Sequence, residues 1–379
     1  MKIIHVIHSY WPVVGGIENA VKSLAEEQAK LGHEVHVVAS AYGTGDRPRE
    51  EVVNRVNIHR IKAVRLMGYP DLTLPLEYPN ILKDADIVHG HSQNSLFTVK
   101  MLEYARKHGV KTAIYFMAID ALDDHPNPII RLIGPIYARK NLYKAIETTD
   151  IKLAKSIRDV KMLREKYHVD DVYYVPDGVS DYIINAPNMA EEFRGRYGIN
   201  GPFVVYVGRL HPMKGIHVLI KAMAHVVREV KDAKAVIVGP GDQKPYRQLA
   251  NKLGLNNAVV FLGYVDEDAK IGAIDASTAL VLPSISNYVE VFSIVTSEAW
   301  ARQKPVIASA VGELPYRIRH MENGILVPPK DPKALANAIT TLLNDKELAK
   351  KVGARGREEV KTWSEIAKQI NELYIREYQ

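Results

Sequence analysis

Short unbroken apolar runs, each followed by a loop and then by apolar residues at three-four spacing, set the rhythm of this 379-residue chain. Ile3 to Ile7 is the first run, and a loop from Ser9 to Gly16 follows it. Ile17, Ala20, Val21, Leu24, Gln28 and Leu31 then line one face of an expected helix. Gly32 stands where helices commonly end, because glycine reaches the left-handed conformation without a Cβ clash. Val35 to Ala39 is the next strand. Further strands are expected at Val56 to Ile61, Ile87 to His89, Ala113 to Phe116, Ile151 to Ala154 and Val172 to Val175. Ser156 and Asp159 form a capping signal for a helix running to Tyr167 or so.

Asp177 to Arg196 is polar and irregular, holds Pro187, and is expected to be a linker region. The pattern then restarts. Phe203 to Val207 opens a second series, whose first helix carries Ile216, Leu219, Ile220, Met223, Val226 and Val230. Strands follow at Ala235 to Val238, Val259 to Leu262, Leu280 to Leu282, Val306 to Ala308 and Ile325 to Val327, and a polar, helix-rich tail begins at Lys333. Apolar runs without alternation belong to strands buried on both faces, hence to parallel sheets covered by helices. The expected fold is therefore α/β: two doubly wound, Rossmann-like domains facing across a cleft, over residues 1–180 and 198–363. A C-terminal helix over 364–379 is expected to pack back on the first domain. Ligands of such sheets bind at the carboxyl ends of the strands, which makes the cleft the expected site.

Composition narrows the class. With 47% hydrophobic and 25% charged residues the chain reads as soluble and globular. No apolar run has the length of a membrane span; Thr112 to Leu122 is broken by Asp120. The start, MKIIHVIHSYW, enters a strand pattern directly, so no signal peptide is expected and the location is expected to be cytoplasmic. The absence of cysteine excludes disulfides, thiolate metal sites and a cysteine nucleophile. A net charge of +6 suits an anionic ligand or membrane surface and is no sign of nucleic acid.

Two stretches carry the chemistry. In Gly208-Arg209-Leu-His-Pro-Met-Lys214-Gly215, a guanidinium and an ammonium flank a tight loop before a helix N-terminus. Such a loop can hold a diphosphate through charge-assisted hydrogen bonds and the helix dipole. It reads equally as an ordinary loop with two solvated cations. In Glu290-Val291-Phe292-Ser293-Ile294, followed by Glu298, two carboxylates bracket an expected helix start near Ser293, whose first amides lack intrahelical acceptors. Carboxylates there can hold ribose or sugar hydroxyls; for a random pair of glutamates no role at all is the better reading. Gly15-Gly16 open the first helix without a G-x-G-x-x-G, and the second strand ends in Ala39-Ser-Ala, so a dinucleotide site is not expected. His89 and His91 end a strand; they are expected to point to opposite sides and not to share a metal.

Taken together, these residues resemble the retaining glycosyltransferases of the two-domain GT-B type, in the large family four, over nearly the whole chain. Gly15-Gly16-Ile17-Glu18 is similar to the family's glycine loop, Asp86-Ile-Val-His-Gly-His91 to its fourth-strand end, and Val175-Pro-Asp-Gly-Val179 to its interdomain P-N-G-V, with Asp for Asn. Gly208-Arg-Leu with Lys214-Gly215 resembles its phosphate loop, Phe261-Leu-Gly-Tyr264-Val265 its base-binding turn, and Glu290 with Glu298 its E-x7-E. Pro305-Val-Ile-Ala-Ser and Asn323-Gly324 follow in register.

The resemblance implies roles. Arg209 and Lys214, with Gly208, would hold the diphosphate. Glu298 would bind ribose, and Glu290 with Val291, Phe292, Ser293 and Ile294 the donor sugar. Tyr264 and Val265 would line the base, and Gly16 would contact phosphate or acceptor. Gly15, Gly16, His91, Met117 and Asp120 would lie on the acceptor side. Two departures stand out. Ser293 replaces a glycine of the family's E-x-F-G, and Met117-Ala-Ile-Asp120 occupies the place of a pattern like H-G-x-D. A thioether cannot titrate, so Met117 would only shape the pocket, and Asp120 would hold the sugar hydroxyl that the family histidine otherwise takes; the residues read equally as a core Met117 with Asp120 capping the next helix. The D-x-D of Asp84 and Asp86 precedes its strand, where metal-dependent transferases of another fold place theirs elsewhere; no metal and no cofactor are expected.

The expected activity is retaining transfer of a sugar from a UDP- or GDP-sugar to a glycan or lipid-linked acceptor. The alternatives are a nucleotide-sugar epimerase of the same fold and an inactive nucleotide-sugar-binding protein. The stretch Ile129 to Lys144 interleaves apolar and basic residues and suits peripheral contact with a membrane, or equally a core helix with solvated cations.

Overall fold

The structure, a computed structural model, describes residues 1–13, 15–120, 122–123 and 127–378. Val14, in the loop from Ser9 to Gly16, and Gln379 of the expected C-terminal helix lie outside the described residues. The chain divides into two compact units, Met1–Gly178 with Lys361–Gln379, and Val179–Val360.

The first unit is built on ten strands: β1 Lys2–Ile7, β2 Glu34–Ser40, β3 Glu50–Val53, β4 Val56–Ile61, β5 Ala63–Arg65, β6 Thr73–Pro75, β7 Ile87–His91, β8 Lys111–Phe116, β9 Ile151–Ala154 and β10 Val172–Tyr174. Eight form one sheet in the order β10-β9-β8-β7-β1-β2-β4-β3. All neighbours run parallel except β3, which folds back antiparallel on β4 at the edge. β3 is only half-buried, and its Glu-Glu-Val-Val carries no unbroken apolar run, which is why periodicity missed it. β5 and β6 make a separate antiparallel pair. The sheet's long apolar runs are buried: Ile3, Ile4, Val35, Val37, Ile87 and Ile114 have no exposed surface.

Helices cover the sheet. The first, Gly16–Lys30, starts on Gly15 as its cap and presents Val21, Leu24 and Ala25 to the core. Ser156 caps the helix Ile157–Tyr167, accepting from the Asp159 amide at 2.9 Å. The C-terminal helix Trp363–Tyr378 belongs to this unit and buries Ile366, Ala367, Ile370 and Tyr374. Its chain entry is tight: a Cβ on Gly178 would fall 2.5 Å from the Trp363 amide nitrogen.

The second unit has six parallel strands: β11 Phe203–Val207, β12 Lys234–Val238, β13 Val259–Gly263, β14 Ala279–Leu282, β15 Val306–Ser309 and β16 Ile325–Val327. Their order is β13-β12-β11-β14-β15-β16. The chain winds outward one way from β11 through β12 to β13, then returns to β14 beside β11 and winds the other way. β11 and β14 are therefore the strands between which the winding reverses, and the carboxyl ends of such a pair are where sheets of this kind form a ligand crevice. The segment expected as linker is corrected in part. It folds into two short helices, Asp181–Asn185 and Ala190–Tyr197, because Ile183 and Phe193 find apolar contacts in the second unit.

Candidate active site

Four strand-end loops of the second unit are stitched together at this crevice. The loop after β11 bonds to the loop after β12 through the Leu210 amide and the Pro240 carbonyl, at 2.8 Å. It also bonds to the loop after β14, where the Ile285 amide donates to the Met213 carbonyl at 2.9 Å. The loop after β15 joins in, its Glu313 amide donating to the Glu290 carbonyl at 2.9 Å and its Gly312 amide to Asn287 Oδ1 at 2.7 Å. Two glycines make this closeness physically necessary. Gly215 has φ +71°, and a Cβ there would overlap the Pro283 carbonyl; Gly312 has φ +58°, and a Cβ would overlap the Glu290 carbonyl. Only glycine combines that backbone angle with that approach.

Lys214 and Glu290 meet on this scaffold. Lys214 closes the short turn Pro212–Lys214 and reaches across to the β14 loop. Its ammonium donates to Glu290 Oε1 at 2.8 Å and to the Val289 carbonyl at 3.0 Å. The Glu290 side chain is 1% exposed and also accepts from Ser284 Oγ at 2.6 Å. The Lys214 side chain keeps 26% of its surface exposed. Burial first, and the Glu290 charge second, push the nearby Tyr206 phenol far up. Its hydroxyl donates to the Arg209 carbonyl at 2.8 Å and so fixes the backbone beside the exposed Arg209 side chain.

Ser293, at φ +64°, caps the helix Ile294–Ala301, whose first amides have no intrahelical acceptor. Phe292 is buried, while Val291, Ser293 and Ile294 are half-buried. Glu298 lies inside this helix, largely buried, and accepts from Lys270 Nζ at 2.8 Å. Burial pushes the Lys270 ammonium down, but the charges of Glu298 and Glu267 outweigh it and hold the group above its ordinary value. Tyr264, just beyond β13, is 82% exposed with Val265 half-buried beside it, which leaves the tyrosine ring open for stacking.

Lys270 and Arg317 are the residues that sequence reasoning missed. Arg317 donates to the Phe292 carbonyl, to the Ser293 carbonyl at 3.0 Å and to Ser297 Oγ at 2.6 Å, with its guanidinium 4.0 Å from the Phe292 ring centre. It holds the left-handed turn in place from below. Its isolated position in Leu-Pro-Tyr-Arg carried no signal of this.

The residues expected on the acceptor side lie in the first unit. Gly15 and Gly16 open the first helix; a Cβ on Gly16 would meet nothing within 4 Å, so its backbone stands open to a ligand. His91 is corrected: it is 1% exposed and bonded to His5 at 3.0 Å, so it presents nothing to an acceptor. His89 and His91 are corrected as a pair as well. Two residues apart on a strand puts them on one face, and their rings stack at 4.6 Å. Met117 is buried, and the Gln93 carboxamide bonds both its amide, at 3.0 Å, and its carbonyl, at 2.9 Å. Asp120 is corrected from a free hydroxyl-binding carboxylate. The Arg158 guanidinium takes both of its oxygens, one at 2.8 Å. Asp86 accepts from the Lys2 amide at 2.6 Å, a structural bond across strand ends.

Known proteins match this architecture. A glycosyl transferases group 1 model matches residues 189–359, and a glycosyltransferase family 4 model matches residues 14–181. An uncharacterized glycosyltransferase of Methanocaldococcus jannaschii is 29% identical over 402 residues, covering 99% of this chain and 98% of its own. The D-inositol 3-phosphate glycosyltransferase of Corynebacterium glutamicum is 27% identical over 400 residues, covering 95% and 91%. The crystal structure of Anabaena HepE in complex with UDP-glucose superposes with a TM-score of 0.75 at 21% identity, covering 98% of this chain and 99% of that one. The fold is GT-B, and the chain belongs to the group 1 glycosyltransferases: it is an enzyme of that family.

Proposed function

We propose that this glycosyltransferase takes a sugar from a UDP- or GDP-sugar and transfers it with retention of anomeric configuration. The observation that carries the reading is the Lys214–Glu290–Ser284 constellation at the crevice between β11 and β14. Arg209 and Lys214 receive the diphosphate, whose charge grows as the sugar–phosphate bond breaks. Cations placed there stabilise that developing charge without a metal ion. Glu290, held by Lys214 and Ser284, and the amides of Phe292 to Ile294 take the sugar hydroxyls. Glu298, oriented by Lys270, takes the ribose, and Tyr264 with Val265 lines the base. Gly16 meets the phosphate or the acceptor. In this reading, departure of the diphosphate and attack of the acceptor occur on the same face of the sugar. UDP is the first nucleotide to test, since HepE is described with UDP-glucose.

The acceptor is a hydroxyl on a glycan, a lipid-linked glycan or a phosphorylated polyol, the last suggested by the inositol phosphate named for the Corynebacterium relative. The enzyme works in the cytoplasm, in contact with the membrane surface. Among the described residues no helix is long and apolar enough to span a bilayer. The helix Pro128–Thr148 nevertheless exposes Ile129, Leu132, Ile133 and Ile136 beside exposed Arg131, Arg139, Lys140 and Lys144. Such a face inserts at an anionic interface. Sedimentation with anionic vesicles at low salt, weakened by Ile133→Asp, is expected; no binding at low salt would remove the membrane contact.

The test is a thermal-shift panel of UDP, GDP, ADP and their sugars, followed by transfer from the stabilising donor in the presence of a chelator. NMR of the product should show the donor's anomeric configuration. An inverted product, loss of activity restored only by magnesium, or an epimerised donor with no transfer would overturn the corresponding part.

A further inference from the structure

Under the C-terminal helix, on one face of the first unit's sheet, lie three buried histidines that the transfer chemistry leaves unused. His5 on β1 is the register partner of His89 on β7, and His91 follows on the same strand face. One ring nitrogen from each lies within 4.8 Å of the other two. His5 is 0%, His89 0% and His91 1% exposed.

The hydrogen bonds assign the protons. Gln28 Nε2 donates to Asn371 Oδ1 at 3.1 Å, so Gln28 Oε1 is the acceptor of the 2.8 Å bond from His5 Nε2. His5 Nδ1 is then a lone pair that accepts from His91 Nε2 at 3.0 Å; for His91 Nε2 to ligate a metal, its proton moves to Nδ1 of the same ring. His89 Nδ1 bonds the Tyr374 hydroxyl at 2.6 Å, which leaves its Nε2 buried without a partner; His91 Nδ1 is equally orphaned. A buried ring nitrogen without a partner costs on the order of 1–3 kcal/mol. Burial keeps all three rings neutral, and His5 is pushed down to about 4.

We propose that His5, His89 and His91 bind one divalent transition-metal ion, zinc foremost, which fastens the C-terminal helix to the sheet. Neutral imidazole is the ligand form that zinc takes, at about 2.0–2.1 Å in a tetrahedral shell. Two nitrogens on such an ion stand roughly 3.4 Å apart. The His5–His91 separation of 3.0 Å already approaches that spacing. Metal-bound histidines usually donate their other N–H to an orienting partner. Gln28 is that partner for His5, and Tyr374 for His89 when His89 carries its proton on Nδ1. The ion takes up the lone pair of His89 Nε2 that otherwise has no partner. Lys155, the nearby cation, is neutralised by Asp177 at 2.7 Å and does not stand as an unbalanced charge against it. The cluster lies within the first unit, and its occupancy is separate from donor binding at β11 and β14.

The test uses the full-length protein freed of metal by a chelator, and a second batch grown with added metal because the site is buried. Cobalt(II) is expected to give visible ligand-field bands that saturate at one ion per chain and disappear on adding zinc. Zinc should raise Tm by about 3 °C or more. His89→Gln should abolish the bands. Tyr374→Phe, which keeps the packing and removes only the orienting hydroxyl, should weaken cobalt binding about tenfold or more. X-ray absorption at the zinc edge of the wild-type protein should show three imidazole nitrogens, and it decides the matter if His89→Gln fails to fold. No bands and no thermal shift in either batch, fewer imidazole ligands, or unchanged binding in Tyr374→Phe would overturn the proposal.

Discussion

At the scale of single residues, the site rests on pairs whose members cannot be removed independently. Lys214 neutralises the buried Glu290 carboxylate and, in the proposed function, also receives the diphosphate. Lys214→Ala should therefore lower kcat/KM by about 10²–10³ and also lower stability, because it strands a buried charge. Adding Glu290→Gln to that variant should restore Tm but not turnover. Restored turnover in the double variant would remove Lys214 from the transfer step. Gly215 was legible in sequence as the end of a phosphate-type loop, but not as the point where two loops touch. Gly215→Ala should cost about 2 kcal/mol or more in urea unfolding, because φ +71° and the Pro283 carbonyl both reject a Cβ. It should weaken nucleotide diphosphate binding as well; unchanged affinity would show that the loop contact does not shape the site.

At the scale of elements, strands with long apolar runs were readable because burial on both faces leaves few polar positions to interrupt them. Strand ends were harder, since side chains from distant elements complete them. Asp150 shows this. It accepts from the Thr112 amide at 2.9 Å and from Arg106 at 2.8 Å, joining the start of β9 to β8 and to the helix Leu96–Lys107. Burial pushes its carboxyl up, but the Thr112 and Arg106 hydrogen bonds outweigh this and hold it below its ordinary value. A depressed folded pKa contributes stability that is present above the unfolded pKa and fades as pH falls through the folded one. Asp150→Asn should thus cost about 1 kcal/mol at neutral pH, and the gap to wild type should begin to narrow near about pH 4 and close as pH falls through the lower folded pKa. A gap that persists in acid would assign the loss to packing.

At the scale of the whole molecule, the first unit is closed by a segment that arrives last in the chain. Gln28 bonds Asn371, and Tyr374 bonds His89 across 285 positions. Removing residues 361–379 should uncover the sheet face beneath Ile366, Ile370 and Tyr374. The unfolding transition of Met1–Gly178 should fall by 10 °C or so, on the scale of several lost buried side chains. The unit Val179–Val360 should keep its transition and its nucleotide affinity, followed by calorimetry and titration. Loss of nucleotide binding on truncation would show that the second unit depends on the first.

The sequence by itself determined the strand-loop-helix order, the parallel sheets and the glycine, lysine and glutamate positions around β11 and β14. Each is a local matter of period, backbone freedom or charge. Tertiary structure alone decided the partners. Arg317 supports the Phe292 turn, Lys270 holds Glu298, Arg158 occupies Asp120, and Gln93 encloses Met117. The reason is physical: a buried polar side chain takes whichever partner the fold brings within about 3 Å, and that partner leaves no mark on the residue's own neighbourhood in the chain.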